Sequence, residues 1–149
     1  MVRINNLSKN YGTVQAVDSI SFNLNDSEIV GFLGANGAGK STTLKMITGY
    51  LTPTSGNVYL DEMNIIDNCL DIQKMIGYLP ELNPLYSEMK VHEYLKFHAS
   101  IRGITGGKFT DSLKKVVSDC GLQGVVHRTI GNCSKGYKQR IGLAAAMIH

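Results

Sequence analysis

The segment from Gly34 to Ser41 constrains this chain more than any other, because it matches the pattern G-x-x-x-x-G-K-[ST] at every fixed position. A nearly continuous apolar run, Glu28–Leu33, precedes it and predicts a strand that is covered on both faces. The residues from Ser41 to Tyr50 have the apolar spacing of a helix. A strand, a glycine-rich bend and a helix in this order predict a loop whose backbone amides surround a phosphate group.

Each residue type in this loop has a physical role in holding a nucleotide. Gly34, Gly37 and Gly39 permit backbone angles that turn several N–H groups toward one anion. Lys40 would reach the β- and γ-phosphates, and Ser41 would bind Mg²⁺. The predicted nucleotide-binding residues of this segment are Gly34, Asn36, Gly37, Ala38, Gly39, Lys40, Ser41 and Thr42. The alternative is a flexible glycine turn before a helix, in which Gly37 and Gly39 could be replaced without loss of nucleotide binding.

Composition excludes several other classes of protein. The 149 residues are enough for one domain, with 43% hydrophobic and 18% charged residues, which is a globular balance. A net charge of +3 is too small to indicate nucleic-acid binding, and no apolar segment approaches the roughly 20 residues of a membrane span. Cys69, Cys120 and Cys133 have no Cys-x-x-Cys spacing, so we expect free thiols in a reducing compartment.

The chain divides into a strand-rich part, about residues 1–80, and a helical part, about residues 90–149. Alternation and turn residues predict strands at Val2–Asn5, Ile20–Leu24, Asn57–Leu60 and Met75–Leu79, in addition to the apolar run before the glycines. Helical spacing predicts three later helices, at Val91–Ile101, at Leu113–Cys120 and from Ser134 to the last residue. The fold class predicted is α/β.

Two further segments indicate which family this is. Cys133–Arg140, with the sequence CSKGYKQR, resembles the Leu-Ser-Gly-Gly-Gln signature of the ABC ATPases and its basic extension. Tyr11 lies twenty-three residues before Gly34 and resembles the aromatic residue that stacks on adenine in that family. Asn36–Leu44 is also similar to the ABC phosphate loop. The resemblance implies a P-loop NTPase fold with an N-terminal antiparallel β subdomain and a helical signature subdomain.

A narrower resemblance concerns the end of the last predicted strand and the residues after it. Gly77–Glu81 followed by Asn83–Tyr86 is similar to the ATPases of ABC-2-type exporters, and most of all to those associated with gliding motility. Glu81 stands where many ABC ATPases have a glutamine that approaches Mg²⁺ and relays motion to membrane subunits. Its carboxylate can offer oxygen to the metal, although a solvated loop acid is an equally good interpretation.

The signature segment has a physical logic of its own. Ser134 suits the N-cap position of a helix, since its hydroxyl can accept a hydrogen bond from the first turn. In ABC dimers this helix end faces the ATP of the opposite subunit, and the residues implied to lie there are Ser134, Lys135, Gly136 and Tyr137. Lys135 adds positive charge where the family more often has glycine. The alternative is a capped surface helix with a basic first turn.

Some parts of the ABC pattern are missing. The family has a later apolar strand ending in Asp-Glu and, beyond it, a switch histidine. Val58–Glu62 ends in Asp-Glu but precedes the signature, so we interpret it as a strand-end turn, and His149 lies too early for the switch. We therefore expect an N-terminal fragment that ends before the Walker B strand, binds nucleotide and hydrolyses it negligibly. The strand at Ile29–Leu33 would lack a neighbour and present an apolar edge.

The resemblance implies an ATP-binding subunit that couples ATP binding and hydrolysis to transport, with ATP and Mg²⁺ as cofactors. Its expected partners are polytopic membrane subunits and a second ATPase subunit, in a homodimer or heterodimer that ATP brings together, with no nucleic acid. Its expected location is cytoplasmic, at the inner face of the membrane. The alternative is a soluble ABC ATPase that acts on ribosomes or DNA. A P-loop kinase or GTPase does not fit the Cys133–Arg140 segment.

Overall fold

A long antiparallel hairpin opens the computed structural model, which describes residues 1–149. Strand β1 (Val2–Tyr11) pairs with β2 (Val14–Leu24), with Val2 opposite Leu24 and Tyr11 opposite Val14. Gly12 allows the tight connection because its φ is +59°. The alternation predicted at residues 20–24 is confirmed, since half-buried and exposed side chains alternate along this part of β2.

Two shorter strands complete an antiparallel sheet. Strand β3 (Ser55–Leu60) pairs with β1, and β4 (Met63–Asn64) pairs with β3, so the strand order is β2-β1-β3-β4. The predicted turn at Asp61 is confirmed, since this residue lies between β3 and β4 with φ +52°. The antiparallel β subdomain predicted from the sequence is therefore present.

Residues 1–73 form the first of two compact units. Helix α1 (Lys40–Ile47) follows the glycine-rich loop, and helix α2 (Cys69–Met75) closes the unit and continues past it. Apolar side chains from the sheet and both helices are buried here, namely Ile4, Leu7, Val17, Met46, Ile47, Val58, Ile65 and Ile72. Burying this set drives the sheet and helices together, because each such side chain is worth roughly 1.5–3 kcal/mol when removed from water.

Residues 74–149 form the second unit, which is helical. Its helices are α3 (Val91–Ile101), α4 (Gly106–Asp119) and α5 (Lys135–Met147), with a short 3₁₀ turn at Ile130–Asn132. All three helices were predicted from the sequence. One cluster of buried residues joins them, including Val91, Leu95, Val116, Leu122, Ile130, Ile141, Ala144 and Ile148.

The prediction of a buried strand at Ile29–Leu33 is wrong. This segment has no strand pairing, and the side chains of Ile29 and Leu33 are exposed, Leu33 to 92%. A strand that is apolar on both faces needs neighbours along its edges and layers above and below. The four-stranded sheet uses none of these residues, so the apolar run has nothing to pair with among residues 1–149.

The prediction of a strand at Met75–Leu79 is also wrong. Met75 ends helix α2, and the next residues are irregular. The Arg102 guanidinium donates hydrogen bonds to the carbonyls of Lys74 (3.2 Å) and Ile76 (3.4 Å). Gly77 passes so close to the Ala146 carbonyl that a Cβ would collide with it. Contacts with helices, and not with another strand, therefore hold this segment.

We predict that Leu95→Ala lowers the free energy of unfolding of the helical unit by about 2–5 kcal/mol, because Leu95 is fully buried and its removal leaves a cavity. Leu143→Ala on the surface of α5 is the control and should change it by only about 0.5 kcal/mol. Urea denaturation followed by circular dichroism measures both. Equal effects of the two substitutions would contradict the packing described here.

Candidate functional site

The loop before α1 is exposed and shaped by two glycines. Gly37 and Gly39 have φ values of +83° and +82°, which L-amino acids with side chains rarely adopt. Gly34 has no positive φ, so the expectation that all three glycines are needed for their backbone angles is correct only for the last two. A hydrogen bond from Ala38 N to Ala35 O, 3.2 Å long, closes the turn that contains Gly37.

Gly39 has a second reason to be glycine. A Cβ at this position would collide with the Ala16 carbonyl oxygen and lie 3.0 Å from a methyl group of Val17, both on β2. A Cβ at Gly37 would meet nothing within 4 Å. The close approach of Gly39 to β2 therefore fixes where α1 begins relative to the hairpin, which the sequence motif alone did not indicate.

Helix α1 presents unused amides to solvent at its N-terminus. The first bond to the i−4 carbonyl runs from Thr43 N to Gly39 O (2.8 Å), so the N–H groups of Lys40, Ser41 and Thr42 precede the helical ladder. Gly39 supplies no side-chain cap, and the first turn contains no acidic residue. The positive end of the helix dipole is therefore available to an anion.

The Lys40 side chain folds back over the loop that precedes it. Its Nζ donates hydrogen bonds to the carbonyls of Gly34 (2.8 Å) and Ala35 (2.7 Å). The ammonium group thus lies beside the bend and the unused amides, within reach of any anion held there. Thr43 stabilises the junction between the loop and α1, because its buried hydroxyl donates a hydrogen bond to Gly39 O at 3.0 Å.

These groups fit a nucleoside triphosphate with its metal ion. Backbone amides and an ammonium suit phosphate oxygens, while the exposed hydroxyl of Ser41 is an oxygen ligand of the kind that Mg²⁺ prefers. The structure brings together every residue predicted from Gly34 to Thr42.

Tyr11 lies at the same end of the first unit. It ends β1 and pairs with Val14, two residues before Ala16, whose carbonyl contacts Gly39. Its side chain is 50% exposed, and the Nζ of Lys9 lies 5.5 Å from the ring centroid. A half-exposed aromatic ring offers a face on which a planar base can stack.

The signature segment begins α5 in the second unit. Ser134 is the N-cap, and its Oγ accepts a hydrogen bond from Tyr137 N at 3.3 Å, as the sequence predicted. Lys135 and Gly136 are exposed. Cys133 is buried beside the cap, in agreement with its interpretation as a packing residue. The first turn of α5 therefore presents its amides and the Lys135 charge to solvent.

Tyr137 is the one predicted signature residue that is partly buried. It packs against the core of the helical unit, and the Arg140 guanidinium lies 5.6 Å from its ring centroid. Its side chain therefore has a structural role in this unit, and its backbone N–H is the group that completes the Ser134 cap.

Glu81 is exposed in the irregular segment that precedes α3. Two residues later, Asn83 is half-buried and donates a hydrogen bond from Nδ2 to Lys138 O in α5, at 2.9 Å. Asn83 was not predicted from the sequence as a site residue. The signal that could have found it is Gly142, a glycine in the interior of α5 that faces this amide.

A cluster of aromatic rings lies beside this segment on α3. Tyr94 contacts Tyr86 (centroids 6.0 Å apart) and His98 (4.5 Å), and Phe97 contacts Tyr86 (5.9 Å). Burial raises the pKa of the Tyr94 hydroxyl above its usual range. Burial, and then the nearby positive charge of Arg102, lower the pKa of His98. His98 is therefore held in its neutral form at neutral pH.

Comparison with known proteins agrees with this geometry. The family model described as ABC transporter matches residues 17–149. The chain belongs to the ABC transporter family. No helix of this ABC domain has the length and apolar character required to cross a lipid bilayer.

Relatives of this ABC domain are transporter ATP-binding proteins. It is 40% identical over its whole length to an uncharacterized ABC transporter ATP-binding protein of Bacillus subtilis, YxlF, and covers 49% of that protein. It is 36% identical, again over its whole length, to the bacitracin transport ATP-binding protein BcrA of Bacillus licheniformis, of which it covers 48%. The chain spans about half the length of these relatives.

Solved structures show the same fold. An ATP-binding subunit of an ABC transporter superposes with a TM-score of 0.86 at 26% identity, over 99% of this chain and 61% of that one. A dimeric bacterial ABC transporter cassette superposes with a TM-score of 0.81 at 24% identity, over 99% of this chain and 69% of that one. The predicted fold class, a P-loop NTPase of the ABC type, is confirmed.

We predict that Gly39→Ala destabilises the first unit by more than about 2 kcal/mol, because it adds a clash with Ala16 to the strain of a positive φ. Gly37→Ala is the matched control, with the same φ but open space, and should cost about 1 kcal/mol. Urea unfolding of both variants tests this. The close approach of α1 to β2 is refuted if the two substitutions cost the same.

Proposed function

We propose that this chain binds ATP with Mg²⁺ at residues 34–42, as the nucleotide-binding part of an ABC transporter ATPase. The observation that carries the proposal is the start of α1, where unused amides, the Lys40 ammonium and the Ser41 hydroxyl converge on one exposed bend. ABC ATPase domains bind ATP, typically with Mg²⁺, and the family is shown by the match over residues 17–149.

Each residue of the bend has a defined task. The amides of residues 37–42 and the helix dipole hold phosphate oxygens, and Lys40 exchanges its two carbonyl partners for the β- and γ-phosphates. The Ser41 hydroxyl would hold the Mg²⁺, which would neutralise charge on the phosphates. The family resemblance alone makes Glu81 a further candidate for this metal. Thr42 adds a phosphate contact, and Tyr11 stacks on the adenine.

The N-terminus of α5 acts on the nucleotide of a second subunit. Ser134 and the Gly136 backbone contact the γ-phosphate in trans, and Lys135 adds a positive charge to that contact. The exposure of these three residues supports the assignment, as does a structural neighbour that is described as a dimeric ABC transporter cassette. ATP thereby brings together two ATPase subunits in a homodimer or heterodimer.

An exposed apolar surface on the helical unit receives the membrane subunits. Four large apolar side chains, from the segment after Glu81 and from α3, are exposed there: Leu82, Tyr86, Phe97 and Ile101. Among them, Tyr86 and Phe97 contact each other with ring centroids 5.9 Å apart, and exposed apolar groups that lie together mark an interaction site. We assign it to a polytopic membrane partner and propose that the chain works at the cytoplasmic face of the membrane.

Hydrolysis needs carboxylates that residues 135–149 do not contain. Phosphoryl transfer depends on groups that hold the metal and orient the attacking water, and no Asp-Glu pair follows Ser134 in this sequence. The Asp61 carboxylate is occupied elsewhere, since it bonds to the N-terminal amine at 2.8 Å. We therefore propose that these 149 residues bind ATP with negligible turnover.

The finer proposal is an exporter of the ABC-2 type. The resemblance of Gly77–Tyr86 supports it, as do the relatives, of which one is named for bacitracin transport and another is a probable multidrug ABC transporter ATP-binding protein of Escherichia coli, 31% identical. Association with gliding motility is the narrowest form of this proposal and rests on that segment alone. Action on ribosomes or DNA has no support among these relatives.

We predict that Lys40→Ala weakens MgATP binding by about 10- to 100-fold, because a charged hydrogen-bond donor to the phosphates is lost. Lys45→Ala is the matched control, since Lys45 is exposed on the same helix and should change affinity less than twofold. Titration calorimetry measures both. Unchanged affinity in Lys40→Ala, or no MgATP binding by the unmodified chain, would disprove the proposed site.

We predict that Phe97→Glu in the complete native protein abolishes copurification of a polytopic membrane protein, because it places a charge within the exposed apolar surface. Leu143→Glu is the control, as Leu143 on α5 is equally exposed, 43% against 41%. Pull-down from detergent-solubilised membranes, read by mass spectrometry, provides the measurement. Retention of the membrane protein by Phe97→Glu would show that the partner contacts another surface.

A further inference from the structure

Helix α5 contains a glycine in its interior that helix propensity does not explain. Gly142 lies well inside Lys135–Met147, where glycine costs about 1 kcal/mol relative to alanine. A Cβ at Gly142 would collide with the Asn83 amide, lying 2.6 Å from Cγ and 2.7 Å from Oδ1. The missing side chain therefore leaves a notch on the helix, and the Asn83 amide fills it.

Asn83 makes a specific bond in this notch. Its Nδ2 donates to Lys138 O at 2.9 Å, one turn before Gly142. In a regular helix the same carbonyl accepts the Gly142 N–H, so it receives two donors. The residue before it in the chain, Leu82, is 87% exposed. Asn83 is thus the anchor by which an otherwise exposed segment is attached to α5.

The Asn83–Lys138 hydrogen bond connects the Asn83 anchor to the first turn of α5, which Ser134 caps. Tyr137 N donates to Ser134 Oγ (3.3 Å), and Lys138 N donates to Ser134 O (2.9 Å). Lys138 O then accepts from Asn83. Two consecutive hydrogen bonds, through the N–H and the carbonyl of Lys138, therefore connect the signature serine to a residue two positions after Glu81.

A second contact attaches the same segment further along the helix. Gly77 lies against the Ala146 carbonyl, so close that no side chain fits between them. Gly142 and Ala146 are one helical turn apart. The segment from residue 77 to residue 83 is therefore fixed to α5 at two successive turns, with Glu81 between the two attachments.

We propose that Asn83 is a positioning residue. Through its hydrogen bond to Lys138 and its place in the Gly142 notch, it makes the Glu81 segment and the signature end of α5 move together as one body. This inference rests on the proposed function, in which Glu81 and Ser134 both act on nucleotide. Asn83 itself touches no nucleotide. It acts by keeping the Glu81 segment in register with the first turn of the signature helix.

Hydrogen–deuterium exchange of the complete native protein, without nucleotide, tests the physical link. Asn83→Ala should increase amide exchange at least threefold in both residues 79–86 and the first two turns of α5, because the lost hydrogen bond joins these two regions directly. Asn132→Ala, which removes an exposed asparagine amide near the same helix, should leave both regions unchanged. Faster exchange in only one of the two regions, or in neither, would refute the link.

Steady-state ATPase kinetics of the complete protein separate positioning from simple packing. Asn83→Ala should lower kcat about three- to tenfold and change KM for MgATP less than twofold, because the phosphate loop is untouched. Gly142→Ala should have the same effect by expelling the amide, whereas Gly107→Ala in α4, where a Cβ meets open space, should have none.

The double variant Asn83→Ala/Gly142→Ala gives the decisive result. With the amide gone, the alanine at 142 fits and favours the helix, so the melting temperature should return at least to its original value. The low kcat should persist, since no bond links the two segments. Recovery of kcat together with stability would show that Asn83 only fills space. Absence of MgATP binding in the unmodified protein would instead contradict the proposed function, while the exchange measurement would still decide the link.

Discussion

The close approach of Gly39 to the Ala16 carbonyl is the contact on which the glycine-rich bend before α1 depends. It sets the start of α1 against the hairpin at a distance that no side chain permits. From this start follow the three unused amides of the first turn and the position from which Lys40 reaches back to Gly34. Tyr11 is brought to the same end by the register of β1 with β2. The missing Cβ of Gly39 thus fixes the backbone and the Lys40 charge, while strand pairing brings the aromatic ring to the same end.

In the helical unit, too, the absence of a side chain on glycine allows two segments to lie in close contact. Gly142 opens a notch on α5 that admits the Asn83 amide, and Gly77 allows the chain to pass the Ala146 carbonyl. The buried core around Leu95 and Ile141 holds α3, α4 and α5 together, so these close approaches occur against a rigid surface. In both units, a glycine marks the point where a loop must lie directly on a regular element.

Prediction from the sequence succeeded where short-range patterns decide structure. Alternation along residues 20–24 and helical spacing at Val91–Ile101 correspond to β2 and α3, and Ser134 caps α5 as its residue type suggested. Prediction from the sequence failed at residues 29–33 and 75–79. The apolar character of these segments shows only that their side chains favour burial. Whether neighbours exist to bury them depends on the rest of the sheet.

The sequence by itself determined the family and the helix that follows Ser134, and it predicted the phosphate-loop residues, since these depend on residue types at fixed spacing along the chain. Only the tertiary structure revealed why Gly39 and Gly142 must be glycine and that Asn83 bonds to α5. The reason is that both facts concern the distance between atoms far apart in the chain, twenty-three residues from Ala16 to Gly39 and fifty-five from Asn83 to Lys138. The local secondary-structure propensity of a segment does not determine such distances, which are set when the helices and strands pack together.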